Sequence, residues 1–465
     1  MRPPFPPFAL TSVDHSLVPI FIPQFLCFRS SDPQRSLSAL KAGIDVLLSR
    51  LPFLTGEVVP WPAPDAKHGQ MSVQPSRESD IDSVLIVKDF PGVILPVKST
   101  EKAAEKEVAS LNQEFMPLPL FLPPDEPRPV VRFQANLVAD GLALCMVFNH
   151  QVFDGTGAGH LYEVLAECCR EGCAEITSEG EQALRRCLAA AGKDSQVDDA
   201  CMEEIKECYL VGDMEPDLDM FLVENLENRP FVFSADKMER LRLACMAILP
   251  KIDSSIGSLS TNDVLTGVLA VAIGKARRAA SLKTRDVVFA FNFRNRLLDL
   301  PEHFLGNAFT FLRIPLLGMG AGMGAGMGAG SLEIDSPKNL PIDGHQLAAI
   351  TALARQTRSS IQTHDDAWLR RCIGFLTARP DWSRADLRYG DITITSWRHL
   401  KVYSLDFGSG LASIDSFHLS AALGDSICAV MPAVARGAAW DVRVPLQKEA
   451  MACFAQEPLI KWLVE

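Results

Sequence analysis

The feature that most limits how this chain can fold is one block, residues 130–172. It reads "VVRFQANLV", a short "ADG" turn, "LALCMVFN", and then "HQVFDGTGAGHLYEVLAECCREG". The two apolar runs have strand composition, and the turn between them predicts a hairpin. The last run has helical spacing and stops at a glycine. A buried strand therefore ends on His150, places Asp154 four positions later, and turns at once into a helix. Three glycines, 155, 157 and 159, crowd that turn. Glycine there lets other backbone or ligand atoms come close.

The rest of the chain alternates in the same way. "LVPIFIPQFLCFR" looks extended, and "SLSALKAGIDVLLSRLP" has helical spacing, a serine start and a proline stop. "SLSTNDVLTGVLAVAIGKARR" predicts a helix with a threonine or asparagine cap. "VVFAFNFRNR" reads as a strand ending in two arginines. "DITITSW", "LKVYSLDFG", "SICAVMP" and "AWDVRVPL" read as further strands. The pattern predicts an α/β protein. With 465 residues and 48% hydrophobic content, two domains are expected. The boundaries fall at 1–175 and 229–465, around an acidic stretch at 176–228 that reads as a surface crossover with room for a short helix, the alternative being an acidic helical subdomain. "GMGAGMGAGMGAG", residues 318–330, is a repeated unit too rich in glycine to order readily, so a loose loop is expected.

Composition removes several classes of function. The net charge of −12 is spread along the chain, and no basic surface suits a nucleic acid. No apolar run reaches membrane-spanning length. The proline-rich "MRPPFPPFAL" has no signal-peptide core, so a cytoplasmic protein with no membrane contact is expected. Twelve cysteines with no C-x-x-C pair read as packed, reduced thiols.

His150 is the leading candidate for chemistry. A neutral imidazole takes a proton from a hydroxyl near neutral pH, and a strand end holds it rigidly. Asp154 either orients that ring, pairs elsewhere, or caps the following helix. Competing motifs fail on detail. "GTGAGH" lacks the third glycine of a dinucleotide turn, and there is no G-K-[ST] phosphate loop. His150, Asp154 and His160 do not have zinc-protease spacing, so no metal is expected. "GDSI" at 424–427 sits in an apolar strand without G-x-S-x-G.

"NHQVFDG" resembles the H-x-x-x-D-G motif of the BAHD acyltransferases, and four more stretches agree in order. "LSTNDVLTGVLA" resembles the family's serine/threonine-rich helix start. "FNFRNRL" with "LGN" resembles its N-x-R-x-R…GN segment. "TSWRHLKVYSLDFGSG" resembles its T-S-W…D-F-G-W-G segment, with Ser409 in place of the tryptophan. "MPAVARGAAWDVRVPLQKEAM" resembles its closing hairpin and helix. The chain looks most like the fungal branch, which includes trichothecene acetyltransferases.

The resemblance implies two similarly built domains, like chloramphenicol acetyltransferase, with a central channel between them. Acyl-CoA, with acetyl-CoA expected, enters from one face, and a small-molecule alcohol of fungal secondary metabolism enters from the other. His150 deprotonates the alcohol within a ternary complex. Asp154 turns away to pair with an arginine, Arg294 first and Arg296 second. Thr395 and Trp397 supply contacts to the oxyanion. Coenzyme A lies near Ser260 and Thr261, and the basic run "KARRAASLKTR" is a candidate for its phosphates. Gly155, Asp406 and Gly408 are read as structural. A monomer with no permanently bound cofactor is expected. Two alternatives stay open: a carrier-dependent condensation domain, which would usually show a second histidine where Asn149 stands, and a repurposed protein that is not an acyltransferase.

Overall fold

The computed structural model describes residues 5–76, 81–96, 113–123, 126–170, 176–193, 195–212, 214, 219–316, 334, 339–419 and 424–465. The expectation for 318–330 lies outside these residues. A five-stranded sheet runs in the order Ser416–Leu419, Phe21–Arg29, Gly141–Asn149, Val131–Val138 and Leu85–Phe90. Gly141–Asn149 lies at its centre and is buried at every position. Alternation explains that unbroken apolar run. Leu142, Leu144, Met146 and Phe148 enter the larger core, while Ala143, Cys145 and Val147 enter a smaller one behind the sheet. Each large side chain buried this way contributes about 1.5–3 kcal/mol.

The helix Gly155–Cys169 returns across the first face and packs on the helix Pro33–Arg50. Asp32 caps the latter through the Arg35 N–H, and Pro33 stands in its first turn, where a missing N–H costs nothing. A second sheet of six strands runs Phe309–Pro315, Asp286–Asn292, Ile392–Ser396, Ile427–Val430, Trp440–Gln447 and Leu226–Phe233. The helices Thr261–Ala279 and Gly344–Thr363 pack against each other beside it. Asn292 pairs with Phe309, so residues 293–308 form one loop between two paired strands. A small sheet of Phe8–Ala9, Met71–Gln74 and Glu57–Pro60 completes the set among the described residues.

Three expectations need correction. "LKVYSLDFG" holds a short 3-10 turn, Val402–Ser404, and then loop. Its apolar residues are spaced to plug the core singly, as Val402 and Phe407 do. The helix Thr261–Ala279 is capped by Ser260 rather than by threonine or asparagine, in a capping box with Asp263. The stretch 176–228 carries two helices, Ser178–Ala190 and Asp199–Cys208, started by Thr177 and Asp198. The described cysteines are free thiols. No helix among the described residues is long and apolar enough to cross a membrane.

Candidate active site

His150 leaves the central strand with its N–H still donating to Ile20 O at 2.9 Å, one step beyond the paired strand end. Its Nδ1 lies 3.0 Å from Phe153 O. A carbonyl only accepts, so Nδ1 carries the proton and Nε2 keeps its lone pair. Burial lowers the pKa of His150 below the ordinary value, and that effect outweighs the nearby carboxylate of Asp154. The ring is therefore neutral at pH 7. Phe309 stacks on it, with centroids 6.0 Å apart. Asn307 donates to the His150 carbonyl oxygen at 2.9 Å.

Asp154 does two jobs at once. Its Oδ1 accepts from the Gly157 N–H at 2.7 Å, which caps the helix. Arg294 grips the same carboxylate with both Nη atoms, at 2.9 and 3.0 Å, and the Ala308 N–H adds a bond at 2.9 Å. The pair is almost wholly buried. Arg294 also donates to Phe304 O and Gly306 O, so its charge is well satisfied. Bidentate guanidinium geometry fixes both direction and distance. Arg296, the second choice of partner, instead lies over Phe291 and donates to Ile361 O.

The glycines explain how the two parts of the chain come so close. A Cβ on Gly155 would stand 2.4 Å from Trp397 Nε1, and one on Gly157 would stand 1.8 Å from Leu305 O. Only glycine permits both contacts. Trp397 belongs to the larger core of the first sheet and also lines the cavity beside His150. Its Nε1 has no hydrogen-bond partner among the described residues. Thr395 and Thr393, at alternate positions of the strand Ile392–Ser396, line the same cavity.

That cavity measures about 700 Å³, well within the range for small-molecule sites. Ser260 and Thr261 line it, at the start of their helix. The basic run lies at the other end of that 19-residue helix, about 28 Å away. There Lys275 pairs with Glu457, Arg277 with Asp425 and Arg285 with Asp391, so the run is not at this cavity. Asp406 is exposed and accepts from the Gly408 N–H at 2.9 Å. Gly408 has φ +81° and packs against the far end of Gly155–Cys169. No group of three metal-binding side chains occurs among the described residues.

Sequence reasoning missed a buried polar network behind His150. Arg185 donates to Val152 O at 2.7 Å and pairs with Glu181 and Asp14. Glu181 accepts from the Leu305 N–H, and Asp14 from Asn307 Nδ2 at 2.8 Å. Burial pushes the Glu181 carboxyl up, against the opposing pull of Arg185. Ser396 was also missed. Its Oγ is buried without a hydrogen-bond partner among the described residues, and the residue lines the cavity.

Comparison with known proteins adds relatives to this geometry. A family model described as the transferase family matches residues 100–315 and 347–459. One described as the trichothecene 3-O-acetyltransferase-like N-terminal domain matches 20–169. The chain is 36% identical to a fumigaclavine B O-acetyltransferase of Aspergillus fumigatus, over 98% of this chain and 97% of that one. It is 30% identical to a communesin N16 acyltransferase of Penicillium expansum, over 99% and 98%. Among solved structures, TRI101 of F. sporotrichioides, complexed with coenzyme A and T-2, superposes with a TM-score of 0.76. It is 18% identical and covers 99% of each chain.

Proposed function

The chain belongs to the BAHD transferase family, in its fungal acetyltransferase branch, and from that premise we propose that it moves an acetyl group from acetyl-CoA to a hydroxyl of a secondary metabolite. The observation that carries the reading is His150, with Nδ1 committed to Phe153 O and Nε2 left for the cavity. Nε2 takes the proton of the bound alcohol as its oxygen attacks the thioester carbonyl. The tetrahedral intermediate collapses, the C–S bond breaks, and the thiolate of coenzyme A recovers the proton from His150. No acyl-enzyme is formed, and no permanently bound cofactor takes part.

Asp154 positions the loop through Arg294 rather than touching the imidazole. Thr395 and the indole N–H of Trp397 donate to the oxyanion, where preorganised donors act most strongly. Acetyl-CoA lies along Ser260 and Thr261, and the alcohol approaches from the opposite side of His150. The working unit is a cytoplasmic monomer of two domains, 1–175 and 229–465, joined by 176–228. Incubation with acetyl-CoA and a panel of metabolite alcohols, read by mass spectrometry and by thiol release, tests the proposal. A mass gain of one acetyl group on an alcohol, with matching thiol release, is expected. Thiol release without any acetylated alcohol would sink it.

A further inference from the structure

Five rings lead away from His150 in one continuous chain. Phe309 stacks on the imidazole at 6.0 Å and an interplanar angle of 25°. Phe311 meets Phe309 at 5.7 Å, Tyr389 meets Phe311 at 5.2 Å, and Phe221 meets Tyr389 at 5.6 Å. Phe121 meets Phe221 at 6.2 Å and is 44% exposed. All but Phe121 line the 700 Å³ cavity. Beyond the first pair every step is edge to face, so the ladder offers both ring faces and ring edges along its length.

Phe309 and Phe311 are strand residues with a core to fill. Phe221 and Phe121 are not. Phe221 stands on the 3-10 turn Asp219–Phe221, and Phe121 on a loop about a hundred residues earlier. The chain brings both from outside the sheets to extend the ladder to the surface. No step of the ladder is an Asp, Glu, Lys or Arg. The only polar group it carries between His150 and Phe121 is the Tyr389 hydroxyl.

Building on the acyltransferase reading of His150, we propose that this ladder is the acceptor site and that the acceptor is an uncharged alcohol carried on a planar, fused aromatic ring system. Aromatic partners gain an attraction beyond simple area burial that a saturated ring of equal size lacks. An imidazole already stacked at the inner end places the hydroxyl of such a ring system beside Nε2. The rings themselves offer a charged acceptor no ion partner for the hydration it loses; the charged side chains of the cavity, Glu163, Arg296 and Arg358 among them, are not members of the ladder.

Calorimetry on the full chain, with no coenzyme A present, separates the outcomes. The probes are naphthaleneethanol and its saturated counterpart, decahydronaphthaleneethanol. The naphthyl alcohol is expected to bind roughly tenfold tighter or better. Phe221→Leu should remove most of that preference and leave acetyl-CoA binding unchanged. Phe121→Ala, on an exposed loop where folding is not at stake, should weaken the naphthyl alcohol by a few-fold. Equal affinity for the two alcohols, no binding of either, or an effect of Phe221→Leu on acetyl-CoA alone would overturn the proposal. Because the readout is binding, it stands apart from turnover. Preferential naphthyl binding without acetyl transfer would fail the acyltransferase reading, whereas transfer without the preference would fail the ladder.

Discussion

Two aspartates stand at opposite ends of the helix Gly155–Cys169, and each accepts from the N–H of a nearby glycine. Asp154, at the start, is buried and accepts from Gly157, Arg294 and Ala308. Asp406, in the loop against the other end, is exposed and accepts from Gly408 two residues away. The helix between them has 15 residues, so the two sites are about 22 Å apart. Both look like motif residues in the sequence. The difference teaches that a carboxylate fixes the loop of the candidate site through the distant groups that hold it, not through the glycine that donates to it. Asp154 is tied to residues 140 and 154 positions away, while among the described residues Asp406 ties only its own turn.

The sharpest way to break this contrast is at the group the Asp154 end serves. His150→Ala should lower kcat by roughly 10²–10⁴ or more, the usual worth of a general base, with the melting temperature held. Steady-state kinetics with saturating alcohol checks it, and near wild-type turnover would remove the reason for the scaffold. The same ring sets the pH profile. Burial holds its pKa below the ordinary value, so activity should be flat above pH 6.5 and fall only at lower pH. The stability linked to this histidine runs the same way. It is present above its unfolded pKa and lost as pH falls, because the unfolded chain takes up the proton first. An acid limb of the rate profile centred above pH 6.5 would contradict this.

Asp154→Ala comes next. It leaves the Arg294 charge buried without its partner, so unfolding by denaturant should show a loss of about 3–5 kcal/mol, together with lower activity. Activity lost with stability intact would mean the carboxylate acts on the imidazole directly. Trp397→Phe keeps the packing but removes the N–H over Gly155. A well-aimed donor to the oxyanion is worth about 2.7–4 kcal/mol, so kcat should drop while both KM values stay put. A lower melting temperature with unchanged kcat would mean that Trp397 serves the core alone. Asp406→Ala should do least, within about 0.5 kcal/mol of wild type. A penalty matching that of Asp154→Ala would abolish the contrast between the two ends.

The legible parts of the site were those written within a short span. Strand, histidine, glycine turn and helix follow one another in residues 141–169, so local pattern was enough to find them. The choice of Arg294 over Arg296 came from family likeness. The geometry behind it is that Arg294 leaves the strand end pointing inward while Arg296 stays at the surface. Arg185 and Glu181 were illegible. They sit on the helix Ser178–Ala190 at the spacing of an ordinary exposed ion pair, and only the fold shows that Val152, Asp14 and Leu305 close over them. "LKVYSLDFG" misled because its apolar residues serve the core one at a time, without the hydrogen bonds of a ladder. Ser260 was hidden by its neighbours, since three consecutive residues there are all good caps and only the bond from Asp263 chooses among them.

The span between Asp154 and Arg294 has a consequence during synthesis. At 5–20 residues per second, the ribosome needs roughly 7–28 s to add the 140 residues that separate them. For that time the nascent chain holds a carboxylate destined for burial with no guanidinium to meet it, and a histidine whose loop has nothing to brace it. Asn307, which steadies the carbonyl of that histidine, emerges later still. The first sheet also waits for its edge strand, Ser416–Leu419, until nearly the whole chain is made. A coenzyme A thioester in the cell therefore meets no assembled site, which is complete only when the late-made residues have closed on the early ones.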